Sequence, residues 1–136
     1  VPLPSVDLHW YRSVSNPQTD LSVVPVISYA RMTRPYRELM SELSRRIGPS
    51  VRVFASASLS ASLKMIAAGI AVGPYPRALA SDFLKSEQIV EFDAGFRPQP
   101  LQFTASYLSE PRSFLVENSA EIAQSVALNW DKSQPQ

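Results

Sequence analysis

The sequence predicts an α/β domain, a mixed sheet flanked by helices. Two observations carry that reading. Apolar strand-like runs alternate with helical patterns along most of the chain. The stretch from Val51 to Tyr75 reads as strand, Ser-rich turn, helix, Gly and strand, a βαβ unit. Such units place their ligand-facing loops at the carboxyl ends of the strands.

Val1 to Val6, with two prolines in its first four residues, suits an extended connector. Leu8, Trp10 and Arg12 alternate with His9, Tyr11 and Ser13, which predicts a strand over Leu8–Ser13. Asn16-Pro17 opens a turn. Pro25 places the next strand at Val26–Tyr29. Thr33 can cap a helix and Pro35 suits its first turn. Tyr36, Leu39, Met40, Leu43 and Ile47 recur at helical spacing, and Gly48-Pro49 ends the helix.

In the organising stretch, Val51–Ala55 alternates as a strand. Ser56, Ser58 and Ser60 mark a helix start, and Gly69 suits the left-handed position at its end. Ile70–Val72 is expected as the following strand, before Gly73-Pro74. Pro76 begins a helical stretch through Ala80 that can continue over Ser81 to Lys85, and Ile89 to Phe92 reads as a short strand. Leu101–Tyr107 alternates as a half-buried strand. From Pro111 a last helix carries Leu115, Ser119, Ile122, Val126 and Trp130 on one face.

The 136 residues suffice for one compact domain or a part of a larger protein. An apolar fraction of 45% and a charged fraction of 18% are those of a globular chain. The net charge of +1 argues against bulk electrostatic binding to nucleic acid or a membrane. Without cysteine there is no disulfide framework and no thiolate metal site. No apolar run reaches the ~20 residues that span a bilayer. The chain begins with Val1, and no signal-peptide pattern follows. The expectation is a segment of a longer protein.

His9, the only histidine, has no Asp or Ser at a motif spacing, which favours a structural role. A two-histidine metal site is excluded. There is no GxGxxG, P-loop or GxSxG. Six arginines stand against two glutamates between Arg31 and Arg52. Glu38 and Glu42 lie at helical offsets from Arg34, Arg45 and Arg46, so a salt-bridged, solvated face outweighs a nucleic-acid footprint. Two loops are more informative: Ser28 to Thr33 with Arg34, and Ser56 to Ser60. Each leaves a strand end and enters a helix, where free amides, hydroxyls and the helix dipole favour a small anion. The candidate ligand residues are Ser56, Ser58, Tyr29, Arg31, Thr33, Arg34, Pro74 and Tyr75. For any single serine, simple capping competes with that role.

Three segments, DLHWYRSVSNP, VPVISYARMTRPYREL and VRVFASASLSASLKMIAAGIAVGPYPRALA, carry a resemblance. In order and pattern they resemble the effector-binding domain of LysR-type transcriptional regulators, as do QIVEFD, LQFTASY and the closing amphipathic helix. Ala71 departs from the commoner Gly-x-Gly form. The resemblance implies a subdomain like that of a type 2 periplasmic binding protein. Residues 5–108 would be the second effector-binding subdomain. Residues 109–136 would form a C-terminal helix packing on a first subdomain outside this chain. It further implies a cytoplasmic, homo-oligomeric regulator, not an enzyme, without cofactor or metal and without a membrane partner. Its effector would be a small organic anion, and it would meet DNA only through an N-terminal winged helix-turn-helix outside this chain. A lobe of a periplasmic solute-binding protein shares the fold and is the alternative. A small α/β enzyme is a third reading, disfavoured by the missing His-centred constellation.

Overall fold

The computed structural model describes residues 1–133. Its elements run β1 (His9–Ser13), β2 (Val26–Ser28), α1 (Arg34–Arg46), β3 (Val53–Ala55), α2 (Leu59–Ala67), β4 (Gly73–Tyr75), α3 (Arg77–Lys85), β5 (Ile89–Glu91) and α4 (Phe114–Ser133). The chain divides into two compact units, Asp7–Gln99 and Val1–Val6 with the chain from Pro100 onward.

In the larger unit, β1 pairs antiparallel with β4 and β5, and β2 pairs parallel with β3. A parallel bridge between Val26 and Val72 joins the two ladders. The resulting spatial order is β3-β2-β4-β1-β5. Every strand except β1 points the same way, so four carboxyl ends share one edge with the start of β1.

The period of two along each strand separates two cores. Trp10, Val26 and Val72 face Leu39 and Leu43 of α1, with Leu21 and Val24. Tyr11, Ile27, Ala71, Tyr75 and Ile89 face Leu63 and Ile66 of α2 and Ala80 of α3. Helices therefore cover both faces, as the apolar periodicity requires. Ala71 is buried in the second core, where its methyl fills space that glycine would leave empty.

The helix ends follow the sequence signals. Thr33 Oγ1 accepts from the Tyr36 amide at 3.4 Å, and Pro35 lies in the first turn of α1. Ser58 Oγ accepts from the Ala61 amide at 3.2 Å to cap α2. Gly69 closes α2 at φ +78°, a conformation that a side chain disfavours.

The strand expected at Ile70–Val72 lies three residues later, at Gly73–Tyr75. The Ile70 amide still donates to Met65 O at 3.1 Å, so Ile70 belongs to the end of α2, and it is exposed. Pro74 suggested a stop, yet it sits opposite Trp10 in the β1–β4 pair. The Trp10 carbonyl already accepts from the Phe92 amide at 3.0 Å, so the missing Pro74 N–H deprives β1 of nothing.

The strand expected at Leu101–Tyr107 is reduced to two bridges, Leu101 with Val6 and Thr104 with Pro2. The partner segment holds Pro2 and Pro4, which cannot donate to a continuous ladder. Phe103 and Tyr107 are exposed. In the same unit, α4 leaves Leu115, Ile122, Val126 and Trp130 exposed and buries only Ala120.

Gly73 is the tightest point of the sheet. A Cβ there would meet Ile27 O and Tyr75 Cε2, both at 2.7 Å. Backbone and a fully buried ring cannot yield cheaply, so Gly73→Ala should cost at least ~1–3 kcal/mol. Urea unfolding should show a lower midpoint with an unchanged m-value; an unchanged midpoint would contradict the packing.

Candidate functional site

Strand direction decides which loops meet. Ser28 pairs with Ala55 at the end of the β2–β3 ladder, so Tyr29 and Ser56 leave the sheet from adjacent strands. The loop after β2 leads into α1, and the loop after β3 leads into α2. Two helix N-termini therefore begin at one sheet edge, where the helix dipoles favour negative charge. Tyr75 ends β4 at the same edge.

The hydroxyls of these loops are engaged locally. Ser56 Oγ accepts from the Ser58 amide at 3.1 Å and donates to Ser58 O at 3.2 Å. Ser58 and Thr33 cap their helices, and Thr33 Oγ1 also donates to Ala30 O at 2.6 Å. Arg34 pairs with Glu38 at 2.7 Å, whereas Arg31 is exposed. Glu42 takes both Arg45 and Arg46 at 2.8 Å, which holds its carboxyl below the usual value. The salt-bridged face expected on α1 is thus present.

Tyr29, Pro74 and Tyr75 form a tighter group. The two rings lie 5.3 Å apart at a 49° tilt. Tyr29 donates to Pro74 O at 2.9 Å, and Tyr75 lies 3.3 Å from both Ile27 O and Ser28 O. Burial pushes the Tyr75 phenol up to about 12, and burial raises that of Tyr29 as well. Both therefore act as neutral donors near neutral pH. Pro74 and Tyr75 are buried, while Tyr29 is partly accessible. Near this group, Ser28 Oγ is buried without a hydrogen-bond partner among the described residues.

A charged cluster lies where β1 starts, β5 ends and α3 begins. His9 Nδ1 is 2.9 Å from Glu91 Oε1, and Arg77 donates to Glu91 Oε2 at 2.8 Å. Burial opposes ionisation of Glu91, but hydrogen bonds from His9 and Arg77 outweigh it and lower its carboxyl below the usual value. Desolvation raises the Tyr11 phenol, against the pull of neighbouring Arg77. The expected structural role of His9 takes this form. Its partner lies 82 residues away, so no local motif could reveal it. Among the described residues, no group of three or more His, Cys, Asp or Glu could hold a metal ion. No described helix is long and apolar enough to cross a membrane.

No protein-family profile and no curated protein sequence matches the chain. Solved structures do match. The bromide-bound regulatory domain of HypT from Salmonella typhimurium superposes with a TM-score of 0.68 at 14% identity, over 93% of this chain and 64% of that one. Full-length HypT is described as a hypochlorite-specific LysR-type transcriptional regulator. The chain has the fold of a LysR-type regulatory domain. Full-length LysG from Corynebacterium glutamicum, with bound effector Arg, matches at a TM-score of 0.62 and 19% identity, over 93% of this chain and 46% of that one. The AmpR effector-binding domain from Citrobacter freundii matches at 0.63 and 19%, over 95% and 67%. The type 2 periplasmic-binding-protein-like fold expected from the resemblance is therefore the one found. The chain spans 64% of the HypT regulatory domain and under half of full-length LysG.

The Glu91 cluster has a pH signature. A carboxyl lowered in the folded state contributes stability above its unfolded value and loses it as pH falls through the folded value. Replacing Glu91 by Gln should therefore lower the urea midpoint at pH 7 and flatten the part of its acid decline below about pH 4.5. Parallel curves for both proteins down to about pH 3 would refute the assignment.

Proposed function

We propose that this chain is the effector-sensing part of a LysR-type transcriptional regulator, acting by ligand binding rather than catalysis. The observation that carries the reading is the convergence of the β2–α1 and β3–α2 loops on one sheet edge, within a fold shared with regulatory domains. The ligand is a small organic anion. Ser56, Ser58, Tyr29, Arg31, Thr33 and Arg34 form one wall of its cleft, with Pro74 and Tyr75 supporting that wall from the buried side. Arg31 makes no ion pair among the described residues, and Arg34 can exchange Glu38 for a ligand carboxylate in a two-pronged contact.

In this reading, DNA is bound by a winged helix-turn-helix outside the chain, and the protein works in the cytoplasm as a homo-oligomer. Residues 5–108 act as the second effector subdomain. Residues from 109 onward return a helix to the first subdomain, and the exposed stripe on α4 is the surface for that contact. A lobe of a secreted solute-binding protein would use the same edge, but the regulatory domains among the structural neighbours favour a sensor.

A hydrogen bond to a charged group contributes roughly 1.5–3 kcal/mol, so losing one donor should weaken binding about ten- to a hundredfold. In the intact regulator, Ser56→Ala should move the inducer dose response to higher concentration and leave inducer-free operator binding unchanged. An unchanged dose response would remove Ser56 from the site. Equal loss of inducer-free DNA binding would mean a folding or assembly role instead.

The α4 stripe supplies a second check. This chain alone should self-associate with rising concentration in analytical ultracentrifugation. The double variant Ile122→Asp, Val126→Asp should stay monomeric with an unchanged near-ultraviolet spectrum. A wild-type chain that is monomeric throughout would count against an uncovered docking face.

A further inference from the structure

The loop after β5 lines a half-open pocket, built from none of the residues of the proposed effector wall. Phe92, Asp93, Phe96 and Arg97 line it beside Trp10 and Glu91 and leave about 400 Å³. Small-molecule sites span roughly 300–1,000 Å³ and combine apolar walls with a few polar groups.

The loop is held open by its own bonds. Trp10 Nε1 donates to Phe96 O at 2.9 Å, and the Gly95 amide donates to Asp93 Oδ1 at 2.7 Å. Gly95 takes φ +88°, which completes the turn. The Phe92 and Phe96 rings stand 6.0 and 5.6 Å from Trp10 at tilted and edge-on angles. The three rings make an apolar wall that does not collapse into a stack. Phe96 already carries the Arg46 guanidinium at 4.6 Å from its centroid, so this wall tolerates positive charge.

The polar lining decides the ligand class. Both Glu91 oxygens are committed, to His9 and Arg77. Asp93 spends only Oδ1 on Gly95. Arg97 is exposed, and its nearest carboxylate oxygen, on Glu91, is 3.9 Å away. Among the described residues, one Asp93 oxygen and an Arg97 guanidinium with only a long contact to Glu91 are left for a guest, beside aromatic rings. A purely cationic guest would face Arg97, and a purely anionic one would face Asp93 and Glu91.

We propose that this pocket takes a small zwitterion with an apolar body, an α-amino acid of the phenylalanine type. Its ammonium sits on Asp93, its carboxylate on Arg97 and its side chain against Phe92 and Phe96. The site is separate from the effector wall, so the chain holds two small-molecule sites on one sheet edge.

The indole N–H of Trp10 reports on the wall directly, and its NMR resonance is followed as L-phenylalanine is added to this chain. A saturable shift of Trp10, with Trp130 unmoved, is expected. Phenethylamine and 3-phenylpropionate, each lacking one charge, should bind at least about tenfold more weakly. Arg97→Gln, at an exposed position, keeps the fold and should weaken phenylalanine binding about tenfold or more. Asp93→Asn should weaken it similarly, since the Asn oxygen still accepts from Gly95. Ser56→Ala should change nothing here, which separates this site from the effector wall. No saturable shift of Trp10 up to about 10 mM would overturn the proposal. So would equal binding of the one-charge analogues, or full binding by Arg97→Gln.

Discussion

The sheet depends on how β2 and β4 stay together across a proline. Val72 donates its amide to Pro25 O at 2.9 Å, and Ile27 donates to Val72 O at 2.8 Å. The next step of a parallel ladder would be an amide from residue 74 to Ile27 O, and Pro74 has none. The Tyr75 hydroxyl lies 3.3 Å from that carbonyl in its place. One step further, Pro74 O would take a backbone amide, and the Tyr29 hydroxyl takes it instead at 2.9 Å. Two side chains thus serve the carbonyls that the ladder leaves behind. An unserved buried carbonyl would cost ~1–3 kcal/mol.

This substitution shapes the candidate edge. A backbone ladder would run β2 and β4 on together. Side-chain bonds let the two strands part after Val72 while keeping both carbonyls satisfied. The loop after β2 then starts at Tyr29, whose ring is held 5.3 Å from that of Tyr75. Gly73 is the complementary device, since its hydrogen is all that fits between Ile27 O and the Tyr75 ring. Burial raises both phenols, so their donor role persists through the physiological range.

Much of the local structure was legible in the residues. Thr33, Ser58, Gly48 and Gly69 marked helix ends because capping and positive φ are short-range requirements. The paired glutamates on α1 announced their arginines through helical offsets. The parts that misled were those in which distant chain decides. Ile70 looks like a strand residue, but its amide closes α2 on Met65. Leu101 to Tyr107 alternates well, but the segment facing it carries prolines. The pairing of His9 with Glu91 and the wrapping of Trp10 by Phe92 and Phe96 left no periodic trace. Their partners lie 80 or more residues away.

The sequence by itself determined the four helices and the strands β1, β2, β3 and β5, where most helices start and stop, and which loops are rich in hydroxyls. Those properties follow from backbone sterics and from bonds that close within a few residues. Only the tertiary structure decided that the β2 and β3 loops leave from adjacent parallel strands, and that β4 spans Pro74 on tyrosine hydroxyls. It alone brought Glu91 between His9 and Arg77. Each of these rests on strand order and register, which are fixed by packing two apolar faces against three helices at once.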